Sequence, residues 1–299
     1  MAEVFVSLLM TAYNREKYIG QAIESVIAST FQNWELIIVD DGSKDKTVEL
    51  AREYERSDSR IKVYLNEKNL GDYPNRNQAA SYARGKYIKY IDADDSLYYW
   101  GLQVEVEMME MFPDAGYGLD SIEQDDTRIF PFMLNPMEAY KAHYFKGMGF
   151  FVKAPVSSII KRDTFEAVGG FTGKRYIGDF ELWHRLSLEY PVVLMPHGIV
   201  WSRGGTEDQE SHHNRTNRIV PFLYLMVTLD FLKKENCPLD RDDKKSVFNR
   251  IVLIQSQIIL RTVFKERNYQ AYLGMKKLSK IGLLKAMVIF IRNKIIKRN

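Results

Sequence analysis

Three carboxylates fall within four residues at Asp92-Ala93-Asp94-Asp95, where the apolar run Tyr87 to Ile91 ends. So much like charge cannot stay unpaired beside a core. A hard divalent cation, Mn2+ or Mg2+, is the natural partner, held by one or two carboxylates and by substrate phosphates. The plainer alternative is a solvated acidic turn that caps the next helix. A second acidic pair, Asp40-Asp41, ends the run Trp34 to Val39 ahead of Gly42-Ser43. Side chains alternate along a strand, so one of the pair points toward a ligand crevice and the other packs or caps. The first can accept hydrogen bonds from a ribose or base; an Asx-turn needs only one Asp. Asp179 follows Gly178 and precedes Glu181, Trp183 and Arg185. In a partly buried pocket it would be a general base toward an acceptor hydroxyl, and otherwise it is the N-cap of a helix running to Tyr190.

The elements that must position these groups alternate regularly over the first hundred residues. Strands are expected over Val4 to Leu9, Trp34 to Val39, Ile61 to Leu65 and Tyr87 to Ile91. Between them lie helical spacings at Lys17 to Ser29, after Asp45, and from Arg76 to Ala83, the last preceded by a Gly-Pro loop, NLGDYPN. Such alternation implies right-handed βαβ units and a parallel sheet. Ligands bind outside the carboxyl ends of such strands, where both acidic clusters lie. The pattern loosens after Asp114, then gives a strand at Val156 to Ile160, the helix from Asp179, a strand at Val192 to Met195 and a polar loop over 202–218. From Ile219 onward the spacing is helical.

Composition bounds the classes. The chain has 299 residues, 45% hydrophobic and 27% charged, which excludes a disordered, collagenous or disulfide-scaffold protein. Its net charge of +3 hides an asymmetry: nine Lys or Arg and no acid follow Glu266, which leaves −6 on residues 1–266. The single cysteine, Cys237, suits a reducing compartment. The start lacks a basic segment and a long apolar run, so no signal peptide is expected, and no uninterrupted stretch reaches about 18 apolar residues. There is no GxGxxG after the first strand and no GxxxxGK[ST], against a dinucleotide-dependent dehydrogenase and a P-loop enzyme. A phosphatase of the aspartyl-phosphate type would want Asp where this chain has Thr11-Ala12-Tyr13-Asn14. No HExxH or paired CxxC offers a zinc site. Of the five histidines, only His212 and His213 sit in a polar loop; His143, His184 and His197 read as surface or packing residues.

The segment VSLLMTAYNREKYIGQAIESVIASTFQNWELIIVDDGSKDKT closely resembles the opening of the inverting family 2 glycosyltransferases with a GT-A fold. The resemblance continues through NLGDYPNRNQAASYARGKYIKYIDADD, returns at GGFTGKRYIGDFELWHRL and fades near residue 215, covering roughly two thirds of the chain. It implies that Thr11, Ala12, Tyr13 and Asn14 pack on the base and ribose of a nucleotide-sugar donor, that Asp41 reads the base, usually uracil, and that Arg76 lines the donor pocket. By the same resemblance Asp92, Asp94 and Asp95 form the DxD region that holds the metal and the ribose-diphosphate, and Asp179 deprotonates the acceptor. Asp94 and Asp95 are the expected metal ligands, with His212 the nominee to complete the shell and His213 an equal rival. Members commonly carry Glu before the catalytic Asp, where this chain has Gly178, so a neighbour that helps place the acceptor is absent. The Gln-x-x-Arg-Trp motif of processive synthases is also absent, which implies one sugar per encounter.

The expected architecture is therefore an α/β GT-A fold. A Rossmann-like, mostly parallel sheet is flanked by helices, with a donor half over 1–115, an acceptor half over 116–215 and a helical extension over 216–299. The expected activity is metal-dependent, inverting transfer from a nucleotide-sugar, UDP-sugar favoured, to a hydroxyl of a glycan or lipid-linked acceptor in bacterial surface polysaccharide synthesis. The rival readings are a catalytically silent GT-A scaffold that binds glycans, and a nucleotidyltransferase that releases pyrophosphate. Residues 276–299 carry eight basic side chains and no acid, and Ile281, Leu284, Val288, Ile291 and Ile295 share one helical stripe. An interfacial helix on an anionic membrane fits; a packing helix or dimer contact is the alternative. Nucleic acid is not an expected partner. The expected location is cytoplasmic, peripheral at the inner face of the plasma membrane.

Overall fold

A computed structural model of the chain describes residues 5–204 and 219–296. His212, His213 and the expected boundary at residue 215 lie outside the described residues. The chain divides into two compact units, Met1–Gly204 and Gly205–Asn299.

The first unit opens with β1 (Val6–Ala12), α1 (Ile19–Ile27), β2 (Trp34–Asp40), α2 (Thr47–Ser57), β3 (Ile61–Leu65), α3 (Asp72–Ser81) and β4 (Tyr87–Asp92). Helix α1 buries Ile19, Ala22, Ile23 and Val26, the face expected from its periodicity, while every residue of β2 is buried, as a central parallel strand requires. Helix α3 starts at Asp72, not at Arg76 as the sequence suggested. Its Pro74 lies in the first turn, where an amide N–H has no helical partner to lose.

The chain continues through β5 (Ser96–Leu97), α4 (Gly101–Glu110), β6 (Tyr117–Ile122), β7 (Phe132–Leu134), α5 (Pro136–Phe145), two 3-10 turns, β8 (Ser158–Lys161), α6 (Arg162–Ala167), α7 (Gly178–Glu189), β9 (Val192–Pro196) and β10 (Val200–Trp201). The strands form an eight-stranded sheet in the order β3-β2-β1-β4-β8-β6-β9-β7, with a separate β5–β10 ribbon. Strands β3, β2, β1 and β4 run parallel; β8 opposes both β4 and β6, and β7 opposes β9. The order reverses at β1, whose neighbours are β2 and β4. This is the switch point at which open α/β sheets bind ligands.

A charged triad is sealed inside this unit. Lys89 on β4 reaches Glu105 on α4 at 2.5 Å and Asp120 on β6 at 3.5 Å, and all three side chains are fully buried. Burial outweighs the attraction of Lys89 and pushes the Glu105 carboxyl up. Lys89→Met should cost about 3 kcal/mol, the low end for breaking a buried pair, because the raised Glu105 carboxyl can take up a proton once its partner is gone. Denaturant midpoints of the two proteins check this.

The second unit is helical: Val220–Leu232, Arg241–Leu260 continued by a π turn over Arg261–Lys265, Tyr269–Ser279 and Leu283–Ile296. Phe222, Ile259, Met275, Ile281 and Ala286 form its core. The basic tail is two helices and not one. Lys280 is left-handed (φ 57°) and closes the first, and Ile281 is drawn into the core. The helix Arg241–Lys265 is long and apolar enough by length and composition to cross a bilayer. That property was not visible as an uninterrupted apolar run, because Gln255, Ser256 and Gln257 interrupt the aliphatic residues.

Candidate active site

The carboxyl ends of β1, β2 and β4 meet at one edge of the sheet. Thr11 pairs with Val39 on one side and Asp92 on the other, so the loop after β1 lies between the two acidic clusters. Asn14, left-handed at φ 53°, accepts from Lys44 N at 2.8 Å, and its own amide donates to Ser43 Oγ at 2.8 Å. These bonds tie the Thr11–Asn14 loop to the turn after β2. Ala12 is buried, whereas Tyr13 is exposed and presents a ring to solvent at this edge.

Of the Asp40-Asp41 pair, Asp40 is the one that caps, and Asp41 is less open than the alternation argument expected. Asp40 accepts from the amides of Gly42 and Ser43 at 3.0 and 2.8 Å and is the Asx-turn. Asp41 accepts from Leu70 N, Gly71 N and Asn66 Nδ2 at 2.8, 2.9 and 2.8 Å. It therefore fixes the loop before α3, and of about four lone-pair directions one remains for a ligand. Strand alternation does not foresee this, because the partners come from the following βα connection.

Arg76 is buried between two acids, with Nε 2.7 Å from Asp72 and Nη2 2.7 Å from Asp92. Its Nη1 is buried with no hydrogen-bond partner among the described residues. Beside it, Asp94 meets Arg15 at 3.3 Å, and Asp95 accepts from Arg203 N at 2.8 Å. Burial and then the Asp92 charge push Asp94 up, and the same two causes push Asp95 up to about 7. Burial and the repulsion from Asp92 thus disfavour the charged forms of Asp94 and Asp95, a cost that a bound cation would relieve. Among the described residues no three His, Cys, Asp or Glu side chains gather as a ready-made metal cage. A cation that takes one or two carboxylates and otherwise phosphate oxygens needs no such cage. The all-oxygen pair Asp94 and Asp95, whose charge is disfavoured in the ligand-free protein, fits a hard divalent ion.

Asp179 occupies the second position of α7, whose N-cap is Ile177, so the N-cap reading does not hold. Its Oδ1 accepts from Phe180 N at 2.7 Å and from Tyr73 Oη at 3.3 Å. The residue keeps some surface exposure, yet burial pushes its carboxyl up to about 6. Asp179 thus bonds Tyr73 on α3, while the chain neighbour of Tyr73, Asp72, pairs with Arg76, which also pairs with Asp92 at the end of β4, so the start of α3 adjoins both groups.

Arg15, Arg203, Asp72 and Tyr73 are the members that sequence reasoning missed. Arg203 lies in the polar loop after β10 and stacks over Tyr18 and Trp201 at 4.7 and 4.8 Å. A cation at the start of a long polar loop was the available signal. His143 and His184 are packing residues, as expected. His184 is fully buried, bonded to Tyr144 and to the Phe180 carbonyl, and burial pushes it down to about 3. His197 is exposed.

The sequence profile of glycosyl transferase family 2 matches residues 7–169, more than half of the chain. The chain belongs to glycosyl transferase family 2. This family 2 chain is similar to the putative teichuronic acid biosynthesis glycosyltransferase TuaG of Bacillus subtilis, 37% identical over 135 residues, which are 44% of this chain and 53% of TuaG. It is also similar to the Escherichia coli protein WfgD, named as a UDP-Glc:alpha-D-GlcNAc-diphosphoundecaprenol beta-1,3-glucosyltransferase: 40% over 109 residues, 36% of this chain and 42% of WfgD. The matched stretches span about half the length of these relatives. Among solved structures, S. aureus TarS 1-349 with UDP-GlcNAc superposes at a TM-score of 0.70 and 15% identity, over 97% of this chain and 89% of that one. The mannosyltransferase PcManGT of Pyrobaculum calidifontis with GDP-Man and Mn2+ gives 0.60 and 15%, over 97% and 87%. The fold of this family 2 chain is the GT-A fold, with its large, mostly parallel sheet flanked by helices.

Proposed function

We propose that this family 2 chain transfers one sugar from a nucleotide-sugar, UDP-sugar favoured, to a hydroxyl of a glycan or lipid-linked acceptor, with inversion. The observation that carries the reading is the start of α3, whose Tyr73 bonds Asp179 and whose Arg76 bonds Asp92 of the acidic turn at the switch point of the sheet. The names of relatives support the substrate classes: a UDP-glucose donor and a diphosphoundecaprenol-linked acceptor for WfgD, UDP-GlcNAc bound to TarS, GDP-Man and Mn2+ bound to PcManGT.

In this reading the nucleoside packs against Thr11, Ala12, Tyr13 and Asn14, and Asp41 offers its remaining lone pair to the base. Arg76 Nη1, the unpartnered buried donor, faces the diphosphate. Asp94 and Asp95 would hold Mn2+ or Mg2+. An ion held there would supply Lewis-acid neutralisation of the diphosphate leaving group. Asp92 orders Arg76 against the donor. Asp179 Oδ2 takes the acceptor proton while the acceptor oxygen attacks the anomeric carbon from the opposite face, so a single displacement inverts the centre. Residues 1–115 serve the donor, 116–215 the acceptor, and 216–299 form the extension. Assay of nucleoside diphosphate release from a panel of UDP- and GDP-sugars tests the reading. Acceptor-dependent release with an inverted product supports it; pyrophosphate release from a nucleoside triphosphate, or no product, contradicts it.

The extension serves as a membrane contact at the inner face of the plasma membrane. On the last helix Leu284, Val288, Ile291 and Ile295 are 77, 57, 53 and 56% exposed, a continuous apolar stripe. Lys285, Arg292 and Lys294 lie on the same helix, and no acid follows Glu266. That pairing suits an anionic bilayer, where each basic residue contributes about 1 kcal/mol. Full-length protein should float with phosphatidylglycerol vesicles and remain behind with phosphatidylcholine alone. The double variant Val288→Asp with Ile291→Asp should lose flotation; undiminished binding by that variant contradicts the role.

A further inference from the structure

Gly178 stands where the resemblance leads one to expect Glu, and the space beside it is filled. A Cβ on residue 178 would lie 2.7 Å from Cδ2 and Cε2 of Tyr73 and 2.8 Å from its Cε1. Any side chain at 178 therefore excludes the Tyr73 ring from its present position. That position is held from several sides. The ring packs on Phe171 at 5.0 Å between centroids and is buried, and the loop preceding it is fixed by Asp41 through Leu70 N and Gly71 N. The hydroxyl reaches Asp179 Oδ1 at 3.3 Å.

We infer that Tyr73 is a positioning residue for Asp179, admitted by Gly178, and that its hydroxyl fixes which carboxylate oxygen is left to accept a proton. The inference rests on the reading of Asp179 as the base. Oδ1 already receives Tyr73 Oη and Phe180 N, while Oδ2 has no hydrogen bond among the described residues and is not sealed from solvent. A carboxylate with both donors on one oxygen cannot rotate freely without losing them, so Oδ2 stays the open oxygen. Burial and the neighbouring Asp179 charge keep the Tyr73 hydroxyl protonated, so it remains a donor throughout the working range. In this chain an aromatic hydroxyl from α3 orders the base, a task no residue at position 178 can share.

The charged groups facing Asp179 act in both directions. Asp72 on α3 raises its carboxyl, Arg76 on α3 lowers it, and the Tyr73 and Phe180 hydrogen bonds lower it against the dominant rise from burial. Tyr73→Phe keeps the ring, its contact with Phe171 and the close approach to Gly178, and deletes only the donor. Removing a bond to the charged form favours the protonated form. The Asp179 midpoint should therefore move up by about one unit, the low end for a hydrogen bond to a charged group, since 3.3 Å is long.

The test is a titration of the protein carrying 13C-labelled Asp carboxyls, followed by NMR. The Asp179 resonance is identified by its loss in Asp179→Asn. Its midpoint should lie near 6 in the unmodified chain and higher in Tyr73→Phe. Gly178→Ala, which pushes the ring aside, should raise it similarly, and should add nothing when combined with Tyr73→Phe. An unmoved or lowered midpoint in folded Tyr73→Phe overturns the inference, as does full additivity of the two substitutions. This readout needs no substrate. Retained turnover in Asp179→Asn would sink the assignment of the base and leave the titration result standing, so the two failures are told apart.

Discussion

Asp179→Asn is expected to lower glycosyl transfer by about 10²- to 10⁴-fold, the range for a positioned general base, while leaving donor binding intact. It is also expected to stabilise the fold at neutral pH. The carboxyl rises from 3.8 to about 6 on folding, and burial is the first cause. A carboxyl held above its unfolded value binds its proton more tightly in the folded state, so the ionised form opposes folding. The cost is absent below 3.8, grows as pH rises toward 6, and is complete above it. A shift of that size corresponds to at most about 3 kcal/mol, and the partial exposure of Asp179 reduces the expected gain to about 1–2 kcal/mol. The substituted amide still accepts from Tyr73 and Phe180, which keeps the local geometry. Denaturation at pH 8 and at pH 3.5 checks the sign: a gain at the first that vanishes at the second. A variant with full turnover, or one destabilised at pH 8, contradicts the role given to Asp179.

The second large effect concerns the acidic turn. Asp94→Asn combined with Asp95→Asn should weaken donor diphosphate binding by about 10²-fold or more, to the level of chelator-treated protein. The same substitution should make the ligand-free protein more stable, by about 1–2 kcal/mol, because it removes two carboxylates whose charge is disfavoured first by burial and then by Asp92. The amide oxygen introduced in place of the Asp95 carboxylate would still accept from Arg203 N, so the turn itself should persist. Loss of binding together with gained stability separates a site built to receive a cation from an acidic turn that merely caps a helix. Unchanged binding in this variant would assign the cluster to the second class.

The half of the fold that positions the donor was legible because its strands are continuous apolar runs ending in acids, and its helices carry one clean apolar face, as in α1. The elements after Asp114 were harder for a physical reason. Strand β6 carries a Gly and an Asp, the latter offset by the distant Lys89, and β5 and β10 are two residues each, too short for any period. The start of α3 was obscured by Pro74, and the break in the tail by Lys280, a residue type that rarely adopts the left-handed conformation it has here. Candidate site residues Asp92, Asp94, Arg76 and Asp179 were found from strand ends and family motifs. Their connections were not, since Tyr73 and Asp179 are 106 residues apart and nothing local marks the pair. The Asp40-Asp41 pair shows the limit of alternation: which lone pairs remain open was decided by the loop at 66–71.

Calorimetric titration with UDP, GDP and CDP, each in Mn2+ and in EDTA, tests the central claim most directly. The account predicts that one nucleoside diphosphate, UDP first, binds in Mn2+ at least about 10²-fold more tightly than in EDTA. Equal binding in EDTA, or no binding of any of the three in Mn2+, would contradict a metal-dependent nucleotide-sugar site at the β1–β4 switch point.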